Sequence, residues 1–256
     1  MKKIFILVLL IICPLLVRAQ KYDVSYDEEN YRLVSVSEKY YKTIYNYNSL
    51  TKYNYSQEIV ALPVTIEISK EEYDAADESN ASPFGVDVTG QTEYKKLTSS
   101  ILENSSKYMY KAVLDWKKMP VVRSYDILAI GFNQNVKATN IIYNTHYCLN
   151  NGFCYDNSNY YVNKSSYGVG VSFKLPESSD VNVLKNTLTL YMDKNVSGAT
   201  IKVQRAVADY SHAIKSISYN LSRSFSVNLN GISLNSDSYS YYDEISPVTA
   251  ILNCKW

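Results

Sequence analysis

Alternation of apolar and polar residues with a period of two is the feature that most constrains the fold of this chain. Between Tyr108 and Trp116 the even positions are apolar, and most odd positions are not. Successive side chains of a β-strand point to opposite faces of a sheet, so this pattern is typical of a half-buried strand. Similar runs recur from about residue 88 onward, separated by turn-forming residues. They predict an all-β fold, an antiparallel β-sandwich of about seven to eight strands.

Two of these runs carry additional information. Residues 125–132 are apolar on both faces except at Asp126, which predicts a central strand between two layers. Residues 216–230 form the longest alternating run, with Ser or Asn at every even position. An ordinary half-buried strand is the favoured interpretation of this run. The alternative is an amphipathic hairpin of a membrane-acting, pore-forming or bacteriocin-like toxin.

The N-terminus predicts export. Lys2 and Lys3 precede an apolar run that ends at Val17, and Ala19 supplies a small residue for a cleavage site before Gln20. Residues 1–19 are therefore predicted to be a secretory signal peptide. No later apolar run has membrane length, so we expect a secreted, extracellular protein with no integral membrane segment after cleavage.

The remaining chain divides in two by composition. Residues 20–87 are polar, rich in tyrosine and locally acidic, which predicts a less ordered extension or pro-segment. Within it, residues 58–68 are predicted to form one strand, and the acidic residues at 71–78 suit a solvated helix or linker better than a calcium loop. Residues 88–256 are predicted to form the sandwich domain.

Tyrosine is the compositional outlier, at 26 of 256 residues, while the formal net charge is only +1. A near-neutral chain gives no reason to expect a nucleic-acid partner. Tyrosine suits half-buried strand surfaces, and this interpretation is favoured over an aromatic binding face. If such a face exists, its candidate residues are Trp116, Tyr108 and Tyr110.

Three cysteines remain after the predicted cleavage. Asn151 and Gly152 form a turn dipeptide between Cys148 and Cys154, so we predict a disulfide that closes this loop. Cys254 shares the apolar face of the last alternating run and is expected to be a core-facing free thiol.

Catalytic signals are weak. His146 and Cys148 share a strand face, but a disulfide-bonded cysteine cannot act as a nucleophile. A turn is the favoured interpretation of the sequence from Asp209 to His212, because catalytic triads are assembled from distant segments. Two scattered histidines do not supply the three or four ligands of a zinc site. We therefore assign no catalytic residue, metal or cofactor, and a hydrolase is the third function class.

Several segments together resemble a group of small secreted proteins of low-GC Gram-positive bacteria. They are 71–77, 116–132, the cysteine loop, 172–176 and 208–213, and the resemblance extends over roughly residues 65–256. It implies bacterial export and a single β domain, and it assigns no activity or site residue. With the other signals, it leads us to expect a non-enzymatic module that binds a glycan, the cell wall or another protein.

Overall fold

The computed structural model describes residues 30–45, 63–76, 92–105, 107–194 and 203–254. The predicted signal peptide lies outside these residues. The described residues form fifteen strands: β1 Arg32–Ile44, β2 Val64–Ile68, β3 Thr92–Glu103, β4 Tyr108–Lys118, β5 Tyr125–Phe132, β6 Val136–Leu149, β7 Cys154–Asn157, β8 Tyr161–Ser165, β9 Gly168–Lys174, β10 Val181–Lys194, β11 Val203–Ala213, β12 Phe225–Asn228, β13 Gly231–Leu234, β14 Tyr242–Glu244 and β15 Val248–Asn253. They also form two short helices, α1 Lys70–Ala75 and α2 Ser236–Tyr239, and a 3-10 turn at Leu221–Arg223.

The strands build two large antiparallel sheets that pack face to face. The first has seven strands in the order β2-β1-β3-β4-β10-β6-β7, and the second has the order β14-β11-β5-β9-β8, with β15 also paired to β11. Eight strands of six residues or more follow residue 88: β3, β4, β5, β6, β9, β10, β11 and β15. The predicted all-β, antiparallel β-sandwich is confirmed.

The main core lies between the two sheets. Leu114 and Leu188 of the first sheet and Leu128 of the second sheet are fully buried there. Each such side chain contributes about 1.5–3 kcal/mol through removal of apolar surface from water. On the other face of β5, Ile127 and Ala129 belong to a second apolar cluster. The predicted central position of β5 between two layers is therefore confirmed.

The outer layer over β5 is the β12–β13 hairpin, and it replaces the long strand predicted at residues 216–230. A 3-10 turn at Leu221–Arg223 interrupts that run. Ser218 accounts for the break, because its hydroxyl accepts the Leu221 N–H and its carbonyl accepts the Ser222 N–H, at 3.3 and 3.0 Å. Serine side chains compete with regular backbone pairing in this way. The strand prediction is wrong here, and the alternation that suggested a membrane-acting toxin is lost with it.

Two glycines allow the hairpin to approach the sheet. A Cβ atom at Gly131 would lie 2.5 Å from the carbonyl oxygen of Asn228. At Gly231, φ is +120°, and a Cβ atom would lie 2.3 Å from Oδ2 of Asp209. Asp209 fixes the contact, since its Oδ2 accepts the Ile232 N–H at 2.7 Å. The missing side chains are thus what permits the third layer to dock.

Strands β1 and β2 precede residue 88, in the segment expected to be a less ordered extension. Instead, β1 pairs with β3 along its whole length, with one bulge near its start, and it pairs with β2 on its other side. Tyr41 explains this integration, because its ring is buried in the main core and its hydroxyl donates to the Ser246 carbonyl at 2.5 Å. The described part of the extension therefore belongs to the sandwich.

Other parts of the extension follow the sequence patterns. Strand β2 covers the end of the strand predicted at 58–68, whose beginning lies outside the described residues. Helix α1 has no buried residue, and Ser69 caps it by accepting the Glu72 N–H at 3.1 Å, as expected for a solvated helix. Among the helices described, none has the length and hydropathy of a membrane span.

The two ends of the described chain meet in the fold. Ser35 of β1 donates its hydroxyl hydrogen to the Ile251 carbonyl at 2.8 Å and accepts the Ile251 N–H at 3.1 Å. These bonds join β1 to β15, so the first and last strands stabilise each other.

Candidate functional site

Two of the three candidate aromatic residues of β4 are buried. Tyr110 is fully buried and donates to Oε1 of Gln204 at 2.5 Å, and Trp116 is only 5% exposed. Tyr108 is half-buried against the same core. The even positions of β4 do share one face, as predicted, but this face points to the opposite sheet. Tyr110 and Trp116 therefore offer almost no surface to a ligand, whereas Tyr108 is only partly enclosed.

A buried ionic cluster lies beside Trp116. Glu93 and Lys95 from β3, Asp126 from β5 and His212 from β11 are each 0% exposed. Sequence reasoning missed this cluster because its members are far apart in the chain. The sequence feature that could have indicated the cluster was Asp126, the single polar residue in an otherwise apolar central strand.

The geometry of the cluster pairs its charges. His212 Nδ1 lies 3.1 Å from the Asp126 carboxylate, and its Nε2 lies 3.8 Å from Glu93 Oε1. Burial lowers the pKa of His212, but the two carboxylates raise it, and the net shift is upward. Lys95 Nζ lies 3.9 Å from Asp243 and 5.0 Å from the Trp116 ring. Pairing of this kind offsets the large cost of burying charged groups.

The cluster does not form a hydrolytic site. Asp209, Ser211 and His212 lie on β11, where a turn had been predicted, and not on a loop. Adjacent strand residues point to opposite faces, so the Ser211 hydroxyl lies away from the His212 ring. All members of the cluster are enclosed between the sheets, which leaves no room for a substrate.

The cysteine loop agrees with the sequence analysis. Cys148 and Cys154 form the predicted disulfide, between directly opposite residues of β6 and β7. His146 Nε2 lies 3.5 Å from Cys148 Sγ, and Nδ1 lies 3.1 Å from Asp156 Oδ1. In this oxidised state no thiolate is present to act as a nucleophile. Cys254 is a free thiol, half-buried against the core as predicted.

An accessible groove, here called the tyrosine groove, lies at the edge of the second sheet. It has a volume of about 460 Å³ and is built from the start of β5, the β7–β8 connection, the end of β9 and the segment after β11. The lining residues are Tyr125, Asn157, Asn159, Tyr160, Tyr161, Ser172, Phe173, Lys174 and Tyr219.

The tyrosine groove combines aromatic surfaces with polar side chains. The rings of Tyr125 and Tyr219 lie 5.8 Å apart, and Tyr219 is 50% exposed. The guanidinium of Arg223 lies 4.2 Å from the Tyr161 ring centre, which holds that ring in place. The hydroxyl of Ser172 is buried in the lining and has no hydrogen-bond partner among the described residues. Aromatic walls with a few convergent polar groups are typical of ligand sites.

Two larger cavities lack this combination. A cavity of about 730 Å³ beside Arg123 is lined by aliphatic, charged and small polar residues, with no aromatic ring. A second, of about 830 Å³, has Phe132 and Tyr167 as its aromatic residues, and Phe132 is only 2% exposed. The four tyrosines therefore favour the smaller groove as the binding site.

No known protein family and no curated protein matches the chain. Among solved structures, it is similar to the collagen-binding domain of the Erysipelothrix rhusiopathiae surface protein RspB, with 6% identity and a TM-score of 0.31, over 64% of this chain and 66% of that one. It is also similar to the full-length major pilin SpaD of Corynebacterium diphtheriae, with 10% identity and a TM-score of 0.30, over 70% and 55%. A third similar structure is the N-terminal domain of the Streptococcus gordonii adhesin Sgo0707, with 10% identity and a TM-score of 0.33, over 88% and 57%. The chain spans less than two thirds of each of these structures, and at such scores the likeness carries no inference about function.

Proposed function

We propose that this protein is a secreted, non-enzymatic binding module whose tyrosine groove binds a carbohydrate. The observation that carries the proposal is the convergence of four tyrosines on one open groove that also contains amide and hydroxyl side chains. The predicted signal peptide supports export. The groove also gives a function to part of the high tyrosine content of the chain.

The chemistry of the groove suits a sugar. Sugar rings have apolar C–H faces, which pack on aromatic rings, and hydroxyl groups at their edges, which need hydrogen-bond partners. Asn159 and Tyr160 are exposed, and Tyr161 is half-buried, so amide, hydroxyl and ring surfaces are all accessible. The Asn159 side chain adds an exposed amide donor and acceptor to the lining.

The lining also argues against hydrolysis of the bound sugar. Most glycoside hydrolases need two carboxylic acids on either side of the scissile bond. The described residues that line the groove include neither a carboxylate nor a histidine. Binding without turnover is therefore the function that this lining supports.

The test is a binding screen of the full chain, without its signal peptide, against bacterial cell-wall glycans and host glycans. The best oligosaccharide is then titrated by calorimetry into wild type and Tyr219→Ala. Loss of one stacking ring costs about 0.5–1.5 kcal/mol, so the dissociation constant should rise about two- to tenfold.

Tyr239→Ala is the matched control, because Tyr239 is 64% exposed and does not line the groove. Its affinity should equal that of wild type. A screen without saturable binding would refute the carbohydrate proposal, and equal affinities for Tyr219→Ala and Tyr239→Ala would exclude this groove as the site.

A further inference from the structure

Four residues whose side chains can bind a metal ion or orient its ligands share one face of the β6–β7 hairpin. His146 and Cys148 lie two positions apart on β6, and the register places Asp156 opposite His146 and Cys154 opposite Cys148. A strand repeats its side-chain direction every second residue, so all four side chains point the same way. Sequence reasoning counted only scattered histidines and did not anticipate this arrangement.

Once the Cys148–Cys154 bond is reduced, the three ligand atoms can take the spacing that a tetrahedral metal site requires. His146 Nε2, Cys148 Sγ and Cys154 Sγ all lie within 4.8 Å of one another. Zinc bonds of about 2.3 Å to sulfur and 2.0–2.1 Å to nitrogen require an N···S separation of about 3.6 Å and an S···S separation of about 3.8 Å. The distance from His146 Nε2 to Cys148 Sγ is already 3.5 Å. Two reduced sulfur atoms in van der Waals contact lie at about the S···S separation that zinc requires.

Asp156 and Asn144 already orient the imidazole of His146. Asp156 Oδ1 lies 3.1 Å from His146 Nδ1, which favours a hydrogen on Nδ1 and a free lone pair on Nε2, directed at the sulfurs. Asn144 Nδ2 donates to the same carboxylate oxygen at 2.8 Å and holds it in place. Carboxylates that bind the distal nitrogen of a ligating histidine are a regular part of protein zinc sites.

We propose that the dithiol form of this protein binds one thiophilic divalent cation, such as zinc, through His146 Nε2, Cys148 Sγ and Cys154 Sγ. A dithiol reductant supplies two electrons and two protons to the disulfide and becomes a cyclic disulfide itself. The cation then displaces the two thiol protons, and water fills the fourth position. Cys154 is exposed at the hairpin surface, so the cation has direct access.

Disulfide and cation are therefore alternative cross-links for the same hairpin. Thiolate is the sulfur species that binds metals, and the disulfide contains none. A disulfide oxidant that accepts the two electrons of the bound thiolates re-forms the Cys148–Cys154 bond, is itself cleaved to two thiolates and releases the cation. Reduction by a dithiol restores the site. This inference is independent of the tyrosine groove and of the ligand proposed for it.

The experiment uses the full chain, without its signal peptide, in a Cys254→Ser background, so that only two thiols remain after reduction. The protein is reduced with dithiothreitol, freed of reductant under argon and titrated with Co²⁺. We expect one equivalent to bind, with thiolate-to-cobalt charge-transfer absorption and the visible bands of a tetrahedral site, and zinc to displace it. The oxidised protein should show neither absorption.

Variants separate the role of His146 as a ligand from the role of Asp156 in orienting it. His146→Ala should abolish the tetrahedral spectrum, and Asp156→Asn should weaken binding about 10–100-fold. Asp193→Asn, on the exposed side of the neighbouring β10, is the matched control and should bind as the parent does. The proposal is overturned if the reduced parent binds no Co²⁺, or if His146→Ala binds it with the same spectrum and affinity. Far-UV circular dichroism of each reduced sample checks that the sheets persist.

Discussion

Asp209 is predicted to make the protein more stable in mild acid than at neutral pH. Its carboxylate accepts the N–H groups of Tyr210 and Ile232, yet burial raises its pKa from 3.8 to about 7. The folded state therefore holds a proton between pH 4 and 7 that the unfolded state has released. Stability then falls as pH rises through this window, and the shift corresponds to about 4 kcal/mol.

The assay is guanidinium unfolding at constant ionic strength from pH 4 to pH 8, followed by the fluorescence of the buried Trp116. Wild type should lose about 4 kcal/mol more stability across this range than Asp209→Asn, which has no titrating group at this position. His212, whose pKa is also raised, contributes a slope of the same sign, but it is present in both proteins and cancels in the difference. The free energies of unfolding of the two proteins could instead change in parallel with pH. That result would refute the argument that burial outweighs the two backbone hydrogen bonds in setting the pKa of Asp209.

Three further stability predictions can be checked by the same unfolding assay. Gly131→Ala should cost about 1–3 kcal/mol, the usual range for overpacking, because its methyl group would meet the Asn228 carbonyl. An unchanged unfolding midpoint would contradict the close approach of the hairpin. Tyr110→Phe should cost about 1–3 kcal/mol, since it leaves the buried Gln204 amide oxygen without its donor, whereas a neutral effect would mean that water replaces it. Replacement of both Cys148 and Cys154 by serine should cost about 2 kcal/mol, the loop-closure entropy of a short loop, and a loss above 4 kcal/mol would show that the bridge does more than restrict the unfolded chain.

The sequence predicted the fold best where burial has a simple period. The even positions of β4 are apolar because one face of that strand lies on the core, and β5 is apolar on both faces because layers cover it on both sides. The disulfide followed from local turn chemistry at Asn151 and Gly152.

Prediction failed where distant segments decide the outcome. Periodicity identified the aromatic face of β4 but not whether that face meets solvent or a second sheet. The run at 216–230 alternates well, yet its serines bond to the local backbone and break it into a turn and a short hairpin. The buried ionic cluster joins β3, β5 and β11, and no local pattern links Glu93 to Asp126 or His212.

The bonds between Ser35 and Ile251 have a consequence for how the protein reaches its native state. They close a contact across 216 residues, and both β1 and β15 cover the same end of the core. Contacts of such long sequence separation make folding slow, because chain entropy must be lost before they form. A chain still emerging from the ribosome cannot complete this sandwich until β15 has been synthesised. Until then Ser35 lacks its partner on β15, so the nascent chain stays without its final tertiary structure.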